Sequence, residues 1–531
     1  MTDLFNATEY LLDRQVALGR GANLAVTGAA GDFSYDGLFE RVGKAAGALQ
    51  AAGLEAEQRV LMLMADSADF LTIYLASMRI GAVPVPVSTM IYAADIAELL
   101  VDSRARLMAV SPEFAALAAS AVSLLDGRSE LRALLLSGAT DIDLAIDRPV
   151  LRLDEVIADS PGDPGIYPTT ADSPAFWLYT SGTTGMPKAA MHRHGSIPTV
   201  CETYGSDVLE IQPTDRCLSA AKAFFAYGLG NSLLFPLSVG ATTILEAAPS
   251  TAELIAQRSA EFGATLFFGG PTFFANMLRA EVPAACLSEV RIATSAGEVL
   301  PAELYRRWTK RFGIEIIDGL GMTEMLHIFL SNQRGKVRPG TTGVAVPGYD
   351  LRVVDDDGTE VPKGMPGTLL VRGSSAATGY WSRYEASRAV FQGEWLRTGD
   401  TYVEDGDGYF TCLGRTTDML KSSGIWVSPA EVEDCLISHE AVDRAVVVAA
   451  PDTDGLEKPI AYVVLGRGYE VIEQELLDFC HGALPSFKRP RRIIFVESLP
   501  TTATGKVRRV DLRAMAATAL VKPTADTDSS R

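Results

Sequence analysis

The stretch from Pro174 to Lys188 reads PAFWLYTSGTTGMPK, and its reading decides the fold. Its first six residues, Pro174 to Tyr179, are apolar and aromatic and predict a strand. The nine that follow, Thr180 to Lys188, predict a loop delivered at the strand's end. Gly182 and Gly185 admit positive φ and close backbone approach, while Thr180, Ser181, Thr183 and Thr184 supply hydroxyl donors and Lys188 a mobile cation. Such a loop can wrap a polyphosphate with its backbone N–H groups. It is not the common NTPase P-loop, because no glycine precedes the lysine and no Ser or Thr follows it, which removes the usual Mg²⁺-binding hydroxyl. Ser/Thr/Gly loops also serve as plain surface turns, so the meaning of this one depends on what surrounds it.

On both sides of the loop, helical and strand patterns alternate from residue 41 to about 320. Residues 41 to 53 predict a helix stopped by glycine, 59 to 64 a buried strand, 67 to 81 a helix and 82 to 87 an extended run. Short β-rich runs recur at 242 to 245, 265 to 270, 290 to 295 and 314 to 319, with helical stretches at 252 to 262 and 301 to 312. That rhythm predicts an α/β fold of mainly parallel sheets covered by helices, with ligands at the carboxyl ends of strands. After about 340, Gly- and Asp-rich hairpins predict a small β-rich lobe. From about 419 to 520 the order helix, strand, strand, helix, strand, helix predicts a separate, small α+β domain. The expected division is therefore 1–417 and 418–531, with a disordered tail after about 520.

Composition bounds the chemistry. A chain of 531 residues is too long for one ordinary core, and its 47% hydrophobic content is ample for two or more. The 66 acidic and 47 basic residues leave a formal net charge of −19, which disfavours broad nucleic-acid binding, so any anion site must gather its own local cations. The N-terminus is acidic where a signal peptide would be basic, and no run reaches the roughly 18 apolar residues of a membrane span, so a cytoplasmic protein without membrane attachment is expected. Six scattered cysteines and one close histidine pair, His192 and His194, spell no zinc site; the cysteines are read as reduced thiols.

Further polar segments stand just past predicted strands or near the domain boundary: SAGE (295 to 298), DGLGMTE (318 to 324), WLRTGD (395 to 400), GRTTDMLKSSG (414 to 424) and TATGKVRR (502 to 509). With TSGTTGMPK they resemble the ordered motif set of the acyl-adenylate-forming superfamily, which includes acyl- and aryl-CoA ligases, and the resemblance covers nearly the whole chain. Within it, AKAFFAYGLGN (221 to 231), LFPLSVGAT (234 to 242) and GMTEMLHIFLSN (321 to 332) are most similar to the benzoate-CoA ligase group. Two positions depart from that pattern: Ala189 replaces a glycine, and Met322 stands where related enzymes often carry a smaller polar residue.

The resemblance implies a two-step reaction with ATP, Mg²⁺ and coenzyme A, in which an aromatic carboxylate becomes acyl-AMP and then a thioester. It implies Lys506 as the adenylation lysine, Thr323 as a phosphate contact and Glu324 as the Mg²⁺ ligand, with Thr180 to Gly185 and Lys188 around the phosphates. Ala296, Gly297, Glu298, Asp318 and Gly319 would form the adenine wall, and Asp400 and Arg415 would hold the ribose. Phe225, Ala226, Tyr227, Gly228, Gly321 and His327 would line the aryl pocket, with His327 near the ring or its carboxylate. FFAYG holds no basic residue for a second carboxylate, which favours a monocarboxylic acid. Asp418 would be the hinge, Gly424 would line the pantetheine tunnel, and Phe487, Lys488 and Arg489 would form a CoA patch. Each of these side chains also has an ordinary use as a turn residue, core aromatic or surface ion pair. The alternative acceptor is a separate carrier protein, and a homodimer is the expected assembly if there is one.

Overall fold

The computed structural model describes the chain except for residues 1–2, 30, 126, 139–145, 181–186, 417, 423–424, 452–456, 487, 502–506 and 520–531. Two helix-covered sheets dominate. The first is wholly parallel, in the order Val83–Pro86, Arg59–Leu63, Leu107–Val110, Ala133–Leu136, Val150–Arg152. The second has nine strands. Its parallel centre runs from Leu24–Gly28 through Thr242–Leu245, Arg216–Ser219, Leu266–Gly269 and Ile292–Ser295 to Ile316–Gly321. Antiparallel strands close both edges, Phe33–Ser34 on one and Ile328–Ser331 with Val344–Ala345 on the other.

Local sequence sets where the helices begin and stop. Ser67 caps Ala68–Arg79 by accepting from the Phe70 N–H at 3.2 Å, and Thr251 caps Ala252–Phe262 through the Leu254 N–H at 3.2 Å. Helix Ala302–Phe312 ends on Gly313, whose φ of 71° turns the chain out of the helix, with Lys310 and Arg311 in its last turn. One apolar cluster spans both sheets, taking Val60, Met62, Phe70 and Tyr74 from the first side, Phe176 from between, and Leu234, Phe235 and Leu266 from the second. A second core under the nine-stranded sheet is aromatic, with Trp308 and Phe274 edge to face at 4.7 Å.

The strand predicted from Pro174 forms over Pro174–Thr180 but belongs to neither parallel sheet. It pairs antiparallel with Lys188–Arg193 as a separate two-stranded ribbon. The lobe after 340 is an antiparallel sheet of Asp350–Val354, Gly367–Arg372, Trp395–Glu404, Phe391–Gln392 and Phe410–Arg415, as the hairpin signals predict. Beyond it, Val442–Pro451, Glu457–Leu465 and Arg492–Phe495 form a three-stranded sheet flanked by helices Pro429–Ile437, Glu473–Ala483 and Arg509–Ala519. One stretch was not foreseen as helical: Ala226 to Val239, which contains the FFAYG end, is a run of short α and π turns. Such π insertions place side chains off the regular helical faces and recur at binding sites. The six cysteines are free thiols, and among the described residues no helix is long and apolar enough to cross a membrane.

Candidate active site

The ribbon sets the two ends of the Ser/Thr/Gly loop side by side, because Thr180 and Lys188 are register partners. Ser181, Gly182, Thr183, Thr184 and Gly185 lie outside the described residues. Lys188 projects over the Tyr380 ring, its Nζ 5.5 Å from the centroid. Farther along the same strand, the His192 Nε2 lies 2.8 Å from the Thr323 carbonyl oxygen. Burial pushes His192 down to about 4, so near neutral pH its one N–H is available to donate to that carbonyl.

That bond is one of three on consecutive carbonyls. The Glu324 oxygen accepts from the Ala377 N–H at 2.8 Å, and the Met325 oxygen from the Ser375 hydroxyl at 2.8 Å. The Thr323–Met325 turn is thus clamped by groups from the ribbon and from the segment before residue 380. The Glu324 side chain is itself held, because the Tyr380 hydroxyl donates to its Oε1. Among the described residues Oε2 has no hydrogen-bond partner, although the side chain is only 7% exposed. A hard oxygen donor left open in this way suits Mg²⁺, which takes one or two carboxylate oxygens and completes its shell with water and phosphate. Among the described residues no cluster of three or more His, Cys, Asp or Glu forms a metal cage, and a cation bound through phosphate needs none. Sequence reading missed His192 and Tyr380. The only available signals were a histidine pair that matched no metal spacing and an isolated aromatic pair, Tyr380 and Trp381, behind a glycine.

The hairpin that follows joins this turn to the residues expected to line the aryl pocket. Leu326 has φ 67° and ψ −47°, and the His327 N–H closes onto the Met325 carbonyl at 2.8 Å. This three-residue γ-turn is a strained form for a residue with a Cβ. It reverses the chain so tightly that a Cβ on Gly321 would lie 2.7 Å from the His327 carbonyl oxygen. The His327 ring, 2% exposed, then packs against Phe235, Tyr204 and Tyr227 at centroid distances of 4.5, 5.4 and 5.5 Å. Its Nε2 meets the Tyr227 carbonyl at 3.2 Å, and among the described residues Nδ1 is buried without a partner. Burial holds His327 down at about 3, so near neutral pH it is an uncharged ring and no cation for a carboxylate. The Tyr227 hydroxyl is tied to Thr294 Oγ1 at 2.6 Å, which crosses from the helical run to the strand before Ala296. Ala226, Tyr227 and Gly228 occupy the first turn of that run, and the Phe225 ring stands edge-on to Phe224 at 4.5 Å.

The residues expected to form the adenine wall stand at the ends of two paired strands. Ala296, Gly297 and Glu298 leave strand Ile292–Ser295, with Gly297 at φ 93° and the Glu298 Oε2 accepting from the Thr272 hydroxyl at 2.9 Å. Asp318 and Gly319 lie in the next strand, where a Cβ on Gly319 would come within 2.8 Å of Ile328. Burial pushes Asp318 up to about 8, against the Ser295 hydroxyl and Gly319 N–H. Across the lobe, Asp400 and Arg415 are cross-strand partners and an ion pair at 3.1 Å, with Arg415 about half exposed and Asp400 mostly buried.

The small domain is described less fully. Asp418 is paired with Arg513 at 2.5 Å and Arg509 at 3.8 Å, so the expected hinge residue is tied to the last helix. Arg489 donates to the Leu484 and His481 carbonyls at the end of helix Glu473–Ala483, and Lys488 pairs with Glu431 at 2.6 Å. Gly424, Phe487 and Lys506 lie outside the described residues, as does the tail after 519.

This architecture is shared. The AMP-binding enzyme family pattern matches residues 12–381, and that of the AMP-binding enzyme C-terminal domain matches 431–506. The chain is 42% identical over 526 residues to the benzoate–CoA ligase of Thauera aromatica, covering 96% of each chain. It is 39% identical to a 4-hydroxybenzoate–CoA/benzoate–CoA ligase of Rhodopseudomonas palustris, covering 96% of this chain and 94% of that one. Among solved structures, a benzoate CoA ligase from Burkholderia xenovorans superposes with a TM-score of 0.88 at 41% identity over 96% of this chain and 100% of that one. An anthranilate CoA ligase in complex with anthranoyl-AMP does so at 0.91 with 35% identity, over 98% of both. With likeness of this extent in both sequence and fold, the chain belongs to the family of AMP-binding enzymes.

Proposed function

We propose that the protein is an ATP-dependent aryl-CoA ligase acting on a benzoate-type monocarboxylic acid. A carboxylate oxygen attacks the α-phosphorus of ATP, the bond from that phosphorus to the bridging oxygen breaks, and pyrophosphate leaves. The thiol sulfur of CoA then attacks the acyl carbon of the acyl-AMP, the carbon–oxygen bond breaks, and AMP leaves while the thiol proton passes to solvent. The observation that carries this reading is the 321–327 hairpin. It presents Glu324 on a clamped turn to one side and, three residues later, a neutral His327 packed on Tyr227 to the other. A site built this way holds a charged nucleotide and an uncharged ring next to each other, which is what joining them requires.

The residues divide the work. Thr180 to Gly185 and Lys188 take the β- and γ-phosphates, Thr323 the α-phosphate, and Asp400, oriented by Arg415, the ribose hydroxyls. Glu324 holds Mg²⁺, which supplies charge neutralisation on the phosphates when bound. Ala296 to Glu298 with Asp318 and Gly319 read the adenine. Phe225 to Gly228, Gly321 and His327 enclose the ring. Lys506, from a small domain spanning 418–531, offsets negative charge as it builds on the α-phosphoryl group, and the domain turns about Asp418 to let CoA in past Gly424. Phe487 and Arg489 are assigned to CoA binding; Arg489 would have to exchange its helix-end carbonyls for phosphate oxygens. ATP and CoA supply places the work in the cytoplasm.

Incubation with benzoate, ATP and Mg²⁺, with and without CoA, tests this. Acid-dependent pyrophosphate release and a CoA-dependent thioester are expected, and the absence of release with benzoate and its hydroxy and amino derivatives would remove the reading.

A further inference from the structure

The segment from Ala220 to Phe225, which delivers the aryl-pocket residues, is pinned by groups outside the pocket. The Ser219 hydroxyl donates to the Ala221 carbonyl at 2.8 Å. Lys222 does not face the pocket opening as a free cation, because its Nζ donates to the carbonyls of Glu246 and Ala248, both at 2.6 Å. The Ala223 N–H donates at 3.0 Å to Asp66 Oδ1. The fit beyond is tight, since a Cβ on Gly228 would lie 2.0 Å from the Lys222 carbonyl oxygen. Any shift of Lys222 or Ala223 is therefore passed to the turn that carries Tyr227.

Asp66 is the unusual member of this set. It follows strand Arg59–Leu63 of the other, five-stranded sheet, so it reaches the pocket segment from 157 residues away in sequence. It is 5% exposed and borders a cavity of about 230 Å³ with Thr27, Gly28, Ser67, Leu245 and Ala247. Burial pushes its carboxyl up to about 6, Lys222 and the Ala223 N–H pull it down, and Glu246 pushes it up again. Among the described residues its hydrogen-bond donor is the Ala223 N–H, and a carboxylate kept out of water with so little compensation is costly.

We infer that Asp66 is a positioning residue for aryl-acid recognition: from the first sheet it fixes Ala223, and through it the register of Phe225 to Gly228 against the substrate ring. Nothing in this role touches the nucleotide, so its loss should separate the two substrates.

The inference builds on the proposed ligase activity, and the test keeps the two apart. In Asp66→Ala the KM for whichever aryl acid the wild type activates should rise at least about tenfold, equivalent to about 1.4 kcal/mol, while the KM for ATP stays within about twofold. Asp66→Asn keeps an acceptor oxygen and should hold the acid KM within about threefold of wild type. An unchanged acid KM in Asp66→Ala, an equal rise in both KM values, or an Asp66→Asn as impaired as Asp66→Ala would overturn the role. If Asp66→Ala does not fold by circular dichroism, Lys222→Met, which frees the neighbouring anchor, is read by the same split of acid KM from ATP KM. A wild type that releases pyrophosphate with none of the aryl acids offered sinks the ligase reading itself; a wild type that is active on one of them, beside an Asp66→Ala whose acid KM is unmoved, sinks only this inference.

Discussion

Glu324 and His327 are three residues apart, yet the regions they open onto are built on opposite principles. On the Glu324 side charges are kept: the carboxylate has a hydroxyl donor from Tyr380, Asp400 has Arg415 at 3.1 Å, and Lys188 lies over an aromatic face. On the His327 side charge is suppressed, with burial holding the imidazole down at about 3. Under the proposed function the difference matches the two substrates, nucleotide on the one side and ring on the other. Phosphate charge needs paired, preorganised polar groups, whereas a ring needs apolar walls and pays heavily for any unpaired ion beside it.

The largest expected effect falls on the charge-keeping side. Lys506→Ala should lower acid-dependent adenylation on the order of 10³-fold, the scale for a donor aimed at transition-state charge, while CoA transfer from supplied acyl-AMP stays largely intact. Single-turnover assays of the two halves check this, and comparable loss in both would erase the division of labour. Asp400→Ala should raise the KM for ATP roughly 10- to 100-fold, the range for a hydrogen bond to a charged group, with the KM for the aryl acid little moved. If both rise together, the two regions are not separate.

Tyr380→Phe removes the donor on Glu324 and should weaken the Mg²⁺ dependence of adenylation about tenfold in half-saturating concentration. A metal titration reads this, and an unshifted curve would mean that the hydroxyl does not set the carboxylate.

The smallest effect concerns the charge-free side and is read in stability. A histidine whose folded pKa lies below about 6.5 contributes stability that is present above that pH and lost as pH falls toward the folded value. For His327 the window is about 6.5 down to about 3. His327→Asn should therefore flatten the fall of Tm between pH 6.5 and 4.5, at up to about 1.4 kcal/mol per pH unit for one group. Asp318 works the other way. Its raised pKa makes it cost stability as pH climbs from about 3.8 to about 8, so Asp318→Asn should flatten that limb. Equal slopes in His327→Asn and wild type would show that the packing around His327 does not exclude charge, and equal slopes in Asp318→Asn and wild type would show the same of the strand end that carries Asp318.

Much of this was legible before any coordinates. The alternation of patterns up to residue 320 gives the parallel sheets because burial on both faces demands continuous apolar strands, and Ser67 and Thr251 mark helix starts by a local rule. Thr323, Glu324, Asp400 and Arg415 could be picked out because their motifs are contiguous. Tyr380, His192 and Asp66 could not. Each acts on a residue between 56 and 157 positions away, and nothing in its own neighbourhood distinguishes it from a core or turn residue.

By itself, then, the sequence determined the fold class, the family pattern and the types of side chain available for phosphate, ribose and ring, since these depend on periodicity and on short runs whose geometry is local. Only the tertiary structure decided that Thr180 and Lys188, the ends of the Ser/Thr/Gly loop, belong to a separate ribbon, that Ala226 to Val239 is helical, and that burial keeps His327 neutral. Those outcomes depend on long-range packing and desolvation, which arise from the whole fold and have no signature in any one stretch of chain.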